Sequence, residues 1–138
     1  MDNHHIISAF THGMSFTSDI NGHKLITDTT VDGGGNDLGP SPKRLMLVAL
    51  AGCTGIDVVS ILNKMKVTFS DFSIDIKASL TESHPRIYNE VHIRYKIKTA
   101  ISEQEKMEKA VRLSEEKYCG VSAMFRAFAT VKHEIIFD

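Results

Sequence analysis

The chain has few cysteines, no excess of charge of one sign and no leader-like N-terminus, and each absence excludes a class of protein. Its two cysteines are too few for a disulfide scaffold and too far apart for a CxxC motif or a zinc ribbon. The 16 lysines and arginines are balanced by 17 aspartates and glutamates, so the basic excess typical of nucleic-acid binding is missing. No cationic segment followed by a long apolar run opens the sequence, and we predict no signal peptide.

The remaining composition is that of one ordinary globular domain over residues 1–138. Hydrophobic residues make up 42% of the chain and charged residues 24%, close to the average for soluble domains. The apolar run at residues 45–62 is long enough to suggest a membrane span, but it stands alone and contains Asp57 and two glycines. We interpret it as a buried helix and expect no membrane partner. A reducing cytoplasm is the predicted location.

Hydrophobic periodicity predicts an α+β fold with the order β-β-β-α-β-β-α-α-β. The first three strands are short apolar runs separated by His12-Gly13 and Asn21-Gly22, which is typical of a β-meander; they cover residues 5–10, 14–20 and 24–30. The glycine-rich stretch at residues 32–37 lacks any GxGxxG or GK[ST] pattern. We therefore expect a flexible loop there rather than a phosphate-binding loop.

A long central helix is predicted to begin after Ser41, with Pro42 in its first turn, and to end at residue 63 or 65. Apolar residues surround this helix on all sides, which indicates that it is packed on all sides. One small domain has too few other elements to cover it, so we expect a second copy of the chain to contribute. Gly52 and Gly55 would allow another backbone to come close, at a cost of about 1 kcal/mol of helix stability each.

The second half of the chain predicts a β-hairpin, two helical pieces and a last strand, with no regular alternation of strands and helices. Alternating patterns at residues 69–79 and 87–101 give the hairpin. Ser102 and Glu105 have capping-box spacing and predict a helix over residues 103–117. The remaining elements are a helix at residues 119–128 and a strand at residues 130–137.

Both cysteines lie where chemistry is plausible, although a free cysteine is most often a small buried hydrophobic residue. Cys53 is in the middle of the central helix, flanked by small residues. Cys119 opens a helix, where free backbone N–H groups would favour a thiolate. Asp57, four residues after Cys53, would oppose a thiolate unless it pairs with a cation or points elsewhere. The seven histidines have no HxxxH or HExxH spacing, and we predict no metal site and no cofactor.

Two sequence blocks resemble the signatures of the OsmC/Ohr family. The first is Gly39-Pro40-Ser41-Pro42 followed by the run LMLVALAGC that ends at Cys53, and the second is SEEKYCGVS at residues 114–122. Residues 52–62 are most similar to the YhfA-like branch, and the similarity covers essentially the whole chain. The resemblance implies an intertwined homodimer with its active sites at the interface.

The resemblance also implies a two-cysteine redox cycle. Cys53 would attack an organic hydroperoxide or hydrogen peroxide and become a sulfenic acid, and Cys119 would resolve it to a disulfide that a cellular dithiol reduces. The catalytic members have an arginine in the N-terminal sheet or the loop after it, a glutamate after the helix-opening proline and a proline after the second cysteine. Here no arginine precedes Arg44, Lys43 replaces the glutamate and Gly120 replaces the proline.

Because that arginine is absent, the cation that stabilises a Cys53 thiolate must come from elsewhere. Arg126 is the first candidate, since it lies seven residues after Cys119 on the same helix face; Lys43 and Arg44 are the others. The leading hypothesis is a homodimeric, OsmC-like cysteine-based peroxidase. The alternatives are a non-catalytic dimer that binds a small apolar molecule beside Cys53, and a dimeric scaffold whose cysteines are core residues.

Overall fold

The computed structural model describes residues 2–138, which form two compact units, the first up to Val48 and the second Ala49–Asp138. The first unit contains an antiparallel sheet of β1 (Ile6–His12), β2 (Ser15–Ile20) and β3 (His23–Thr27), in that order. The predicted meander is confirmed. Its turns place Gly13, Asn21 and Gly22 at positive φ, as tight hairpin turns require.

The glycine-rich segment of the first unit is organised by one buried carboxylate. Asp28 is 2% exposed, and its oxygens accept hydrogen bonds from the backbone amides of Thr29, Asn36 and Leu38 at 2.7, 3.2 and 3.1 Å. These amides, led by that of Leu38, hold the pKa of Asp28 below its ordinary value. The segment predicted as a flexible loop therefore has a defined hydrogen-bonded conformation, with a 3-10 turn at Val31–Gly33.

The central helix, α1, spans Pro42–Lys64, in agreement with the predicted bounds. Its buried residues form one stripe at four-residue spacing, Leu50, Thr54, Val58 and Leu62. Other apolar side chains of the helix are exposed, and Ile56 has 73% of its surface accessible. Burial on all sides is therefore not achieved within one chain. By length and composition alone α1 could cross a membrane: the mean hydropathy of its most apolar window is 2.2, and 22% of that window is buried in the chain.

A second three-stranded sheet organises the rest of the chain, in the order β4-β5-β6. β4 (Phe69–Leu80) and β5 (Tyr88–Thr99) form the predicted antiparallel hairpin. One face of β5 is fully buried, as its alternating pattern predicts; the residues are Val91, Ile93, Tyr95 and Ile97. β6 (Thr130–Phe137) has the predicted bounds and pairs with β5 in parallel, with Ile93 opposite His133.

The segment between β5 and β6 is helical and makes a parallel crossover, a β-α-β unit that the sequence pattern did not predict. It contains a 3-10 turn at Ile101–Glu103, α2 (Gln104–Leu113), a π-helical turn at Ser114–Tyr118 and α3 (Gly120–Arg126). The predicted capping box is wrong, because Ser102 lies inside the 3-10 turn. Glu103 occupies the N-cap of α2 and makes no side-chain capping bond.

Candidate functional site around Cys53 and Cys119

The two cysteines are brought together by α1 and by the junction between the π-helical turn and α3. Cys53 is half-buried on α1, and Cys119 is 3% exposed at the N-cap of α3. The π-helical turn is closed by the amide of Cys119, which donates to the carbonyl of Ser114 at 2.7 Å. Such wide turns inside helices are frequent at functional sites, because they change which side chains face inward.

The sulfur atoms of Cys53 and Cys119 are 2.7 Å apart, although 66 residues separate them in sequence. Both are free thiols, and the thiol of Cys119 donates a hydrogen bond to the sulfur of Cys53. A disulfide has an S–S distance of about 2.0 Å, so bond formation needs only a small further approach. The arrangement can therefore carry out thiol–disulfide chemistry within one chain.

Cys119 is held as a protonated thiol. Burial is the largest cause, and together with the hydrogen bond to Cys53 it raises the pKa of Cys119 to about 12. The amide of Ser122 donates to the Cys119 sulfur at 3.2 Å and acts in the opposite direction. The prediction that the helix start would favour a thiolate at Cys119 is wrong, since one amide does not compensate for loss of water.

Asp57 lies beside both sulfurs. One oxygen of its carboxylate and the two sulfur atoms all lie within 4.8 Å of one another. The hydroxyl of Ser114 donates to Asp57 at 3.0 Å, and within residues 2–138 Asp57 forms no ion pair. The sequence left two possibilities for Asp57, a cation partner or a side chain directed away from the cysteines. Within residues 2–138 the structure shows neither.

A second polar group, which sequence reasoning missed, lies between the π-helical turn and the sheet. Glu115 is 4% exposed, and its carboxylate is 2.7 Å from Nδ1 of His133 on β6. This interaction raises the pKa of His133 above its ordinary value. The ring of buried Tyr95 packs against His133 in a T-shaped arrangement, and burial followed by the Glu115 charge raises the pKa of the Tyr95 phenol.

The sequence contained some of the patterns that point to the Glu115–His133 pair and its neighbour Tyr95, but not all of them. The alternation of β5 places Tyr95 on the inward face, and Glu115 belongs to the block SEEKYCGVS. The partner of Glu115 depends on the parallel register of β6, which local patterns do not contain.

Arg126 lies on the surface of the second unit, in a groove of about 380 Å³. The groove is lined by Arg126, Arg112, Glu108, Glu115, Glu116, Val131, His133 and Ile135. The charge of Arg126 slightly lowers the pKa of Tyr95, and within residues 2–138 Arg126 forms no ion pair.

The other two candidate cations, Lys43 and Arg44, lie in the first turn of α1 and belong to the first unit. The guanidinium of Arg44 donates to the hydroxyl of Ser41 at 2.7 Å. The role of all three candidate cations stays a prediction.

The family model described as "OsmC-like protein" matches residues 33–134, a range that includes both cysteines. The chain belongs to the OsmC-like protein family. Protein YhfA of Escherichia coli strain K12 is 30% identical to it over 122 residues, which is 88% of each chain. The predicted family and its YhfA-like branch are therefore confirmed.

Solved structures of the OsmC-like fold match the chain over nearly its whole length. A hypothetical protein from Aquifex aeolicus VF5 is 28% identical, with a TM-score of 0.82, and the match covers 100% of this chain and 99% of that one. An organic hydroperoxide resistance protein from Elizabethkingia anophelis is 18% identical, with a TM-score of 0.71 and coverage of 100% and 98%. The predicted α+β, OsmC-like fold is confirmed.

Proposed function

We propose that this OsmC-like protein is a cysteine-based peroxidase in which Cys53 is the nucleophile and Cys119 the resolving thiol. The single observation that carries the proposal is the 2.7 Å separation of the two sulfur atoms. A cycle that forms a disulfide needs the two thiols to be neighbours. Cysteines that serve only as core residues have no need to lie next to each other.

The environments of the two sulfurs support different roles. Cys53 is only partly buried, which suits the thiol that meets the peroxide, whereas Cys119 is buried and protonated. The Cys53 thiolate attacks one peroxide oxygen, the O–O bond breaks, and the alcohol or water leaves after taking up a proton. The resulting sulfenic acid reacts with Cys119 to form the disulfide and release water, so the two thiols supply the two electrons. A cellular dithiol then restores both thiols.

The substrate class we propose is an organic hydroperoxide or hydrogen peroxide. The full-length likeness in fold to an organic hydroperoxide resistance protein supports this choice. No cofactor is needed, because both electrons come from the cysteines.

We also propose that the protein works as a homodimer in the cytoplasm. The exposed apolar side of α1 supports the dimer, as does Gly52, where an added Cβ would meet no atom of the same chain within 4 Å. Gly55, in contrast, faces Ile74 on β4 and is explained within one chain.

The test is oxidation of the reduced protein by one equivalent of tert-butyl hydroperoxide or hydrogen peroxide, followed by intact mass and peptide mapping. We expect a loss of two hydrogens per chain and a Cys53–Cys119 disulfide. In Cys119→Ser the reaction should stop at a Cys53 sulfenic acid that dimedone traps, and Cys53→Ser should not react. Sulfinic acid at Cys53 with Cys119 still free in the wild type would contradict the resolving role. An unreactive Cys53 would favour the small-molecule binder.

A further inference from the structure

Asp57 has no part in the proposed peroxide cycle, yet it lies next to the two sulfurs that carry it. We propose that the reduced protein binds one Zn²⁺ ion through the Cys53 sulfur, the Cys119 sulfur and the Asp57 carboxylate. Water occupies the fourth position. Thiolate and carboxylate oxygen are ordinary zinc ligands, and three protein ligands with one open position are typical of a reactive rather than a structural zinc site.

The spacing of the three ligand atoms fits a zinc ion after a small adjustment. They lie within 4.8 Å of one another, and the sulfurs are 2.7 Å apart. Zn–S bonds of about 2.3 Å and Zn–O bonds of about 2.0 Å in tetrahedral geometry place neighbouring ligands roughly 3.5 Å apart. The two sulfurs must therefore separate by about 1 Å, while the carboxylate oxygen already lies within 4.8 Å of both. Rotation about the Cα–Cβ bonds of Cys53 and Cys119 is the movement that such a shift requires.

The positions of the ligands in the fold favour simultaneous coordination. Cys53 and Asp57 are four residues apart on α1, so they lie on one face of a rigid helix. Cys119 approaches from the end of the π-helical turn. Ser114, the first residue of that turn, donates to Asp57 at 3.0 Å and orients the carboxylate, as residues behind metal ligands commonly do.

Charge gives a reason for the presence of Asp57. A carboxylate without a cation partner beside two thiols opposes the formation of the thiolate that the chemistry needs. A divalent cation reverses that effect, because it neutralises the carboxylate and takes both sulfurs as thiolates. The combination of two soft sulfurs with one hard oxygen suits Zn²⁺ better than Mg²⁺ or Ca²⁺, which prefer oxygen alone.

Zinc binding and disulfide formation exclude each other, since both use the same two sulfurs. A hydroperoxide that oxidises the zinc-bound pair takes two electrons from the thiolates and two protons from solvent; the products are the disulfide, the alcohol, water and free Zn²⁺. Zinc would thus protect the thiols and leave the site when they are oxidised. This coupling rests on the proposed function, but binding of the metal to the reduced protein does not.

The experiment titrates the full-length reduced protein with Co²⁺ alone, as a spectroscopic probe, and then displaces Co²⁺ with Zn²⁺. We expect one ion per chain and a sulfur-to-cobalt charge-transfer band, both lost in the disulfide form, in Cys53→Ser and in Cys119→Ser. Asp57→Asn should weaken zinc binding at least about tenfold, and Ser114→Ala by about tenfold. Glu116→Gln, which changes an exposed carboxylate of the same π-helical turn, is the matched control and should bind as the wild type does.

Two results would overturn the zinc site. One is a reduced wild type with no sulfur-to-cobalt band; the other is an Asp57→Asn variant, folded by circular dichroism, with undiminished zinc affinity. Peroxide oxidation is measured in parallel on chelator-treated protein. If the metal-free protein forms the disulfide, a failed metal titration leaves the peroxidase proposal intact. If it forms no disulfide but the reduced protein binds the metal, the zinc site stands and the peroxidase proposal fails.

Discussion

At Cys119, two local effects act in opposite directions on one thiol, and burial prevails. The Ser122 amide favours the thiolate, yet removal of water raises the pKa of Cys119 to about 12. Cys53, whose sulfur is only 2.7 Å away, is less buried than Cys119. Two chemically identical residues therefore lie in different environments because different elements hold them, one partly buried and one fully buried.

Arg126 is the first candidate for stabilising a Cys53 thiolate. A cation within about 4–6 Å commonly increases the thiolate fraction tenfold or more. Arg126→Ala should therefore slow alkylation of Cys53 by iodoacetamide near pH 7 by about tenfold, with little change in stability because the residue is exposed. Arg112→Ala, which changes another arginine of the same groove, is the control. An unchanged alkylation rate in folded Arg126→Ala would exclude Arg126 and leave Lys43 and Arg44 as the candidate cations.

The Glu115–His133 pair predicts a pH-dependent part of the stability. The folded-state pKa of His133 is raised by Glu115, so the stabilisation is fully present below the ordinary histidine value of 6.5 and is lost as the pH rises through the raised value. Because His133 is partly exposed, the effect should stay below about 1 kcal/mol. We expect Glu115→Gln to lose more unfolding free energy, relative to the wild type, near pH 6 than near pH 9.

Urea unfolding at both pH values measures this difference. Glu90→Gln changes an exposed carboxylate on β5 and should show no such dependence. A Glu115→Gln deficit that is equal at the two pH values would mean that His133 does not carry the effect.

Elements were predictable from the sequence wherever one local pattern decided them. The proline after Ser41 and the apolar run fixed α1, and strict alternation fixed β5 and its buried face. The π-helical turn was missed because it differs from an α-helical turn only in hydrogen-bond register. The Glu115–His133 pair was missed because it depends on that turn and on the parallel pairing of β6 with β5, a contact between distant segments.

For the helix α1, Gly52 gives a test of what covers its exposed side. In an isolated chain Gly52→Ala should stabilise the helix by about 1 kcal/mol, since the added Cβ meets nothing within 4 Å. If a partner backbone packs there, the methyl group instead costs about 1–3 kcal/mol at the interface, and the dimer dissociation constant rises roughly five- to 150-fold. We expect the second outcome, measured by sedimentation equilibrium. In Gly55→Ala the added Cβ would lie 3.2 Å from Ile74 of the same chain, so this variant should leave dimerisation unchanged.

For the whole molecule, the proposed homodimer can be tested through the exposed apolar surface of α1. Ile56 on α1 is 73% exposed in the single chain. Ile56→Asp should convert a stable dimer into monomers at micromolar concentration, because an unpaired carboxylate would be buried at the interface. Ile101→Asp changes an isoleucine that is 85% exposed in the 3-10 turn and should leave sedimentation unchanged. If the wild-type chain sediments as a stable folded monomer, the homodimer proposal is wrong.

The exposed side of α1 also has a consequence for the life of the protein in a cell. Before it pairs in the proposed homodimer, a new chain presents a 23-residue helix with the length and apolarity of a membrane-spanning segment. Machinery that selects proteins by exposed hydrophobicity, whether for insertion, chaperoning or degradation, competes with pairing for such a chain. Pairing depends on the square of the chain concentration, whereas capture by abundant machinery depends on its first power. The amount of protein that survives should therefore rise more steeply than the rate of its synthesis.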